Sequence, residues 1–445
     1  ITILKDDKIK DALIKINKNG YNGVFVIDKK KKLLGVITDS DVRKSFLKNK
    51  LNVNKKAITI TQKKFIKIPL SKVENSKKIL IKSNKMLLPI VEKNRLVDFI
   101  HTKELFNEKK IVKKILVVGG LGYIGSILVK DLLQLNYQVN ILDINYYGCY
   151  LNKSILRNPN LKIYYGDCEN KIILDKAMTG CSDVIHLGEI VGDPAVNIDQ
   201  NFSIKNNFEN TVLVMSECIK KNINKFIFMS SCSVYGNVKF KCTEKSKLNP
   251  VSLYAKCKIE CEKSILAFKS KEFCPVILRL STVYGDSPRK RFDLVANRFV
   301  LMAIKKIKIN LFGANSWRPF ISVNDVSRVL IKVLKTKNEN VRNQIFNVGG
   351  SKENFRIIDI INTIKKHLNI DFEFSKKNDD TRNYRVSFDK IKKILKFKPQ
   401  DNLKKSISDL IKKYKKLKLD ETNINFYNDK KIFKILSKQK LRSSK

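Results

Sequence analysis

Tyr254 and Lys258 stand four positions apart in Tyr-Ala-Lys-Cys-Lys, so on a helix they share one face. A free phenol titrates near pH ~10. A neighbouring ammonium favours the phenolate and lowers that value, and a positively charged hydride acceptor pulls the same way. Such a phenolate can take the proton of a substrate hydroxyl while hydride leaves the same carbon. Ser231, in the run SSCSVYG from Ser230 to Gly236, offers a hydroxyl to the same substrate oxygen. Lys258 can also hold a ribose beside the acceptor. As structure alone, this spacing is any amphipathic surface pair. It points to chemistry only when a cofactor cradle precedes it.

The cradle is Lys114–Ser126, KILVVGGLGYIGS. An apolar run, Ile115–Val118, reads as a buried strand. A turn with Gly119, Gly122 and Gly125 follows, and Ile127–Leu135 has helical apolar spacing. Gly119 permits the tight turn, Gly122 lets backbone approach a pyrophosphate, and Gly125 lets the helix pack close to the strand. The helix N-terminus offers free N–H groups and a positive dipole end to phosphates. A second strand, Gln138–Leu142, runs into Asp143. A carboxylate there accepts both ribose hydroxyls of adenosine and repels a 2′-phosphate, which favours NAD over NADP.

These residues need a scaffold of alternating strands and helices. Strands are expected at Leu161–Tyr165, Asp183–Leu187, Lys225–Met229 and Pro275–Leu280, with helices at Asn206–Lys221 and Val251–Lys269. The fold class is therefore α/β: a doubly wound parallel sheet binding NAD, with a smaller C-terminal substrate lobe. Ahead of it, residues 1–106 hold a diverged α+β repeat. One copy runs from Asp11 through Gly23–Val42, the other through Leu87–Leu105, and each reads helix, strand, turn, strand, helix start. Val26 matches Ile90, while Thr38 and Asp41 match His101 and Glu104. The domain reading is 1–106 for the repeat pair, 107–113 for a charged linker, 114–280 for the cofactor domain, 281–419 for the substrate lobe with returning segments, and 420–445 for a basic, weakly patterned tail.

The formal net charge is +48, from 90 Lys and Arg against 42 Asp and Glu. Only 14 of the basic residues are Arg, and the lysines run along the whole chain without forming a stripe, so a nucleic-acid face is not expected. Ten of those 14 arginines fall between Arg279 and Arg385, the region in which to seek a phosphorylated substrate. No apolar run reaches the roughly 18 residues of a membrane span. The nine cysteines show no metal-ligand spacing, so no metal is expected, and reduced cytoplasmic thiols are the simplest reading. The chain opens at Ile1 rather than Met, which leaves room for a segment before it.

Residues 114 to about 415 resemble the extended short-chain dehydrogenase/reductase superfamily, and within it the NAD-dependent nucleotide-sugar epimerases and dehydratases of UDP-glucose 4-epimerase type. The matching stretches are GGLGYIGS, Asp143, Gly166–Asp167, HLGE at His186–Glu189, NNFENT at Asn206–Thr211, SSCSVYG, YAKCK, WRPFISVNDV at Trp317–Val326 and FNVGG at Phe346–Gly350. The resemblance implies a tightly held NAD. Its cofactor contacts would be Gly119, Gly122, Tyr123, Ile124, Gly125, Asp143, Asp167, Cys168, Leu187, Gly188 and Asn206, together with Tyr254 and Lys258. It implies Ser231, Tyr254 and Lys258 as the catalytic set, and a nucleotide-diphosphate sugar contacted by Ser231, Thr282 and Arg318, with Arg382 and Arg385 as further candidates. A homodimer is expected. Residues 1–106 resemble a tandem CBS-domain pair, which implies an adenine nucleotide at Thr38 and Asp41, although each is also what helix capping needs.

The sequence departs from the family in telling places. Dehydratases of this group carry Asp-Glu directly after the active Ser or Thr, where this chain has Cys232 and Ser233. A lysine of the epimerase loop after His186 is Val191, its asparagine beyond Arg279 is Thr282, and Glu189 stands where a small residue is usual. The leading expectation is an epimerase that oxidises C4 transiently to a ketone and re-reduces it. Alternatives are a net 4-dehydrogenase or 4-ketoreductase, a dehydratase, or a CBS-regulated nucleotide-binding protein without chemistry.

Overall fold

A computed structural model describes residues 1–48, 52–83, 85–102, 113–268, 272–375, 381–417 and 419–443. The chain divides into two compact units, Ile1–Ile111 and Val112–Lys445. The expected linker from 107 lies outside the described residues up to Val112, as do Glu104 and Leu105.

In the first unit the sequence repeat is a repeat of topology. Thr2–Leu4 pairs parallel with Gly23–Ile27, which pairs antiparallel with Leu33–Thr38. Ile68–Pro69 pairs parallel with Leu87–Glu92, which pairs antiparallel with Arg95–His101. The apolar stripe Ala12 and Ile16 of helix Ile9–Asn19 seals one face of the first sheet against Ile3, Val24, Val26 and Ile37.

The second unit is built on seven parallel strands. From one edge their order is Gln344–Val348, Cys274–Leu280, Lys225–Ser231, Asp183–His186, Lys114–Val118, Gln138–Asp143 and Leu161–Tyr165. Both faces are covered, so the strands read as apolar runs rather than alternating ones. The strand period of two still sorts them. Ile115, Val117, Ile227 and Val276 join the core on one face, while Leu116, Val118, Phe226 and Ile277 join the core on the other. Lys225 is buried inside this sheet. Its Nζ donates to the carbonyls of Val333 at 2.9 Å and Thr336 at 2.8 Å, closing the C-terminal end of helix Val323–Lys335.

Gln344–Val348 is a segment that returns from the lobe and extends the cofactor sheet beside Cys274–Leu280. One sequence expectation changes: the tail is not weakly patterned. Residues Asn428–Ser443 form a helix whose Ile432 and Leu436 bury against Ile190, Ala195 and Val196. Apolar positions four apart on this helix supply the docking face, which the lysine excess around them masks in composition. The remaining lobe packs helices Val295–Ile304, Ile357–Lys365 and Leu403–Lys416 on a separate apolar core. No helix among the described residues is long and apolar enough to cross a membrane.

Candidate active site

Strand order reverses between Lys114–Val118 and Asp183–His186, and a cleft opens at their C-terminal ends, as such switch points require. Gly119 has φ +78°, and a Cβ there would sit 2.7 Å from the Cα of Gly188. A Cβ on Gly125 would sit 2.5 Å from the Gly119 carbonyl oxygen. Only glycine lets these segments meet. At Gly122 an added Cβ would meet nothing but the Gly119 oxygen, at 3.2 Å, so its outer side is open for a phosphate. Ser126 ties the turn shut, its Oγ donating to the Gly122 carbonyl at 2.6 Å.

Asp143, Asp167, Cys168, Leu187, Gly188 and Asn206 line the cleft with Gly119 and Gly122. Tyr123, Ile124, Gly125, Tyr254 and Lys258 line its continuation. Asp143 accepts the Leu121 N–H at 2.9 Å on one oxygen and the Asn145 N–H at 2.8 Å on the other. Burial pushes this carboxyl up, against those two donors and Arg289. A carboxylate fixed in this way, at a glycine turn, fits the adenosine ribose of NAD. Asp143→Ala is expected to weaken NAD binding and to narrow the preference over NADP, measured by titrating both cofactors. An unchanged NAD/NADP ratio would place the discriminating acid elsewhere.

Asn206 lies in a feature the sequence did not show. Lys205–Glu209 is a π-turn at the head of helix Asn210–Lys220, where an uninterrupted helix was expected. The extra residue lets two neighbouring asparagines serve the site. Asn206 reaches the cofactor cleft, while Asn207 clamps the loop after His186 by accepting the Ile190 N–H at 2.8 Å and donating to its carbonyl at 2.7 Å. His186 is a core residue. Its Nε2 meets Thr211 Oγ1 at 3.0 Å, and burial followed by Lys258 lowers its pKa to about 3, so it stays neutral.

The reactive groups meet where the strand Lys225–Ser231 ends above helix Leu253–Ala267. Ser252 caps that helix, accepting the Ala255 N–H at 3.3 Å. Tyr254 and Lys258 then face one way, with the ammonium 5.5 Å from the Tyr254 ring centre and 4.7 Å from that of Phe228. Ser231 Oγ accepts from the Ser233 N–H at 3.1 Å and from the Ser233 hydroxyl at 2.9 Å, which leaves its own proton to give. Behind it Arg279 and Glu262 form a buried fork, 2.6 Å at the closest contact, which also takes the Ser230 hydroxyl. Ser231, Tyr254, Lys258 and Thr282 line one cavity.

Burial raises the Tyr254 phenol above its ordinary pKa, and Lys258 pulls it down, the direction its spacing implies. The ammonium is already occupied: its Nζ donates to the Met229 carbonyl and to Glu189 Oε2 in a buried ion pair. Burial alone would lower the pKa of Lys258, but Glu189 and Tyr254 beside it hold it above the usual lysine range.

The arginines divide. Arg382 lines the cavity and bridges Asp193 at 3.1 Å. Arg318 stands one layer back. It is buried, 5.4 Å from the Tyr384 ring centre, and donates to the carbonyls of Trp317, at 2.9 Å, and Arg382. Arg385 does not reach the cavity. Strand alternation over Asn383–Val386 puts Tyr384 on the buried face and Arg385 on the other, where it donates to the Lys239 carbonyl at 3.2 Å. Sequence reasoning missed Arg289 and Arg291, which line the cavity with Tyr147 and Asn428. Their signal was the Arg-Lys-Arg run inside the arginine-rich region. Arg291 is neutralised by Asp293 at 2.6 Å, whereas Arg289 donates to Asn428 Oδ1 at 2.6 Å and lies 4.0 Å from the Tyr147 ring centre. Burial and Arg291 lower the Arg289 pKa to about 10. In the first unit Asp41 accepts the Thr38 N–H at 2.9 Å and its hydroxyl at 2.7 Å, closing the cap of helix Asp39–Leu47.

Comparison with known proteins places the chain by sequence and fold. The NAD dependent epimerase/dehydratase family matches residues 115–349, and a CBS domain matches residues 1–48. A provisionally named UDP-glucose 4-epimerase of Methanocaldococcus jannaschii is 31% identical over 314 residues, 67% of this chain and 97% of that protein. The UDP-glucuronic acid 4-epimerase of Bacillus cereus, solved with UDP-glucuronic acid and NAD, is 27% identical with a TM-score of 0.62, over 68% of this chain and 99% of that one. The UDP-N-acetylglucosamine 4-epimerase of Methanobrevibacter ruminantium shares the fold, with a TM-score of 0.60 over 68% of this chain and 98% of that one, at 24% identity. The chain belongs to the NAD dependent epimerase/dehydratase family, as an enzyme of nucleotide-sugar type that carries a CBS domain at its N-terminus.

Proposed function

We propose that this enzyme inverts C4 of a nucleotide-diphosphate sugar. Bound NAD supplies hydride acceptance and return. The chain's own residues do the rest. Tyr254 takes the C4 hydroxyl proton and gives it back, Ser231 donates a hydrogen bond to the same oxygen, and Lys258 lends positive charge beside the phenol. A 4-keto sugar held in this cavity would have to turn over before Tyr254 returns the proton, and no external reductant would be consumed.

The observation that carries this reading is the sharing of walls. Gly119, Gly122, Leu187 and Glu189 line both the cofactor cleft and the cavity holding Ser231, Tyr254 and Lys258. A sugar carbon there would lie against the reactive end of the cofactor. The arginines Arg289, Arg291 and Arg382 suit the diphosphate. UDP-sugars are the first substrates to try, because the Methanocaldococcus and Bacillus relatives carry UDP-sugar names. A dehydratase is disfavoured. Where it needs an Asp-Glu pair this chain has Cys232, buried with its thiol on the Arg279 carbonyl at 3.2 Å, and Ser233.

The test is incubation of the full chain with UDP-glucose, UDP-glucuronic acid and UDP-N-acetylglucosamine in turn. Epimer formation without a rise in NADH absorbance is expected for one of them. Stoichiometric NADH accumulation would make the enzyme a net oxidoreductase. Turnover of none would leave the UDP-sugar assignment without support.

A further inference from the structure

Glu189 has no place in the scheme above, yet it sits at its centre. Its side chain is 4% exposed and lines both clefts. The loop that carries it is fixed on one side by the Asn207 clamp at Ile190. Oε2 accepts from the Lys258 ammonium, and Oε1 is buried with no partner. A buried carboxylate oxygen left open is costly unless something donates to it. Glu189 lines both clefts, so a ligand in either one would pass this open oxygen.

We propose that Glu189 is a positioning residue: the built-in counter-ion of Lys258, which anchors the ammonium and opposes its pull on the Tyr254 phenol, with Oε1 kept for a ligand hydroxyl. The proposal rests on the assignment of Tyr254 as the acid–base group. Burial raises that phenol; among the charged groups around it Lys258 and Arg291 favour the phenolate, while Glu189 and Asp193 oppose it, and Arg289 and Arg382 line the same cavity. Of the two acids, Glu189 touches Lys258, whereas Asp193 is committed to Arg382. While Lys258 keeps its proton, removing the negative charge at Glu189 leaves the pull of the ammonium unopposed, so the phenol ionises at lower pH. Removing a charge from the same buried cluster moves such a titration by about one pH unit.

The variants are Glu189→Gln, which keeps the shape and an acceptor but loses the charge, and Glu189→Asp, which keeps the charge. Tyr254 ionisation is read in full-length protein as the phenolate absorbance of each variant minus that of the same variant carrying Tyr254→Phe. The Gln variant is expected to titrate about one unit below wild type, and the Asp variant close to wild type. The acid limb of the kcat profile shifts in the same direction once a UDP-sugar that turns over is in hand. Retained NAD, measured after denaturation, stays within about twofold in the Gln variant, which still offers an acceptor. A Gln variant that titrates with wild type, or above it, overturns the proposal. Turnover surviving Tyr254→Phe would instead overturn the acid–base assignment, and this inference with it.

Discussion

Tyr254→Phe is expected to lower turnover by about 10²–10⁴-fold, the usual contribution of a general acid–base group. Only the phenol oxygen is lost. The ring stays 5.5 Å from the Lys258 ammonium, and helix Leu253–Ala267 keeps its Ser252 cap. NAD binding should survive, because Gly119, Gly122, Asp143 and Asn206 are untouched. The assay pairs the rate on a UDP-sugar with the cofactor content of the purified variant. A Phe variant within about threefold of wild type, far inside the range expected of an acid–base group, refutes the role. A variant that has lost both rate and NAD means the phenol was holding the cofactor instead.

The second large effect falls on stability. Arg279 and Glu262 are 3% and 4% exposed and joined at 2.6 Å. Arg279 also donates to the Tyr235 hydroxyl at 3.0 Å, which in turn donates to Asn347 Oδ1 at 2.7 Å. This network ties together the strands Lys225–Ser231, Cys274–Leu280 and Gln344–Val348 directly under Ser231. Glu262→Ala strands a guanidinium inside the sheet, so a loss of about 3–5 kcal/mol is expected in urea unfolding of the full chain. The double variant Glu262→Ala, Arg279→Met should recover much of that loss, since no unpaired charge remains. A single-variant loss below about 1 kcal/mol, the value of an exposed pair, would show that water reaches the fork.

Much of the site was legible because its chemistry is local. Gly119, Gly122 and Gly125 act through a turn a few residues long. Tyr254 and Lys258 share a helix face by spacing alone. Asp143 follows its strand by a fixed offset. Strand positions were equally legible where both faces are buried, since an apolar run such as Ile115–Val118 needs no partner to be recognised. The π-turn at Lys205–Glu209 left no such trace, because one extra backbone residue changes neither composition nor apolar spacing over so short a stretch.

The sequence alone determined the enzyme family, the cofactor and the N-terminal repeat, for each is written in residues close together along the chain. Tertiary structure alone decided what those residues experience. Lys258 reads as a free ammonium until the fold brings Glu189 to it from 69 positions away. Arg289 reads as one of many basic residues until Asn428, from 139 positions further on, takes its guanidinium. Arg318, the arginine the resemblance favours, and Arg385, a weaker candidate, read as phosphate ligands until packing sets Arg318 one layer back and strand alternation turns Arg385 to the exposed face. Charge acts through space and burial, and neither is ordered by position along the chain.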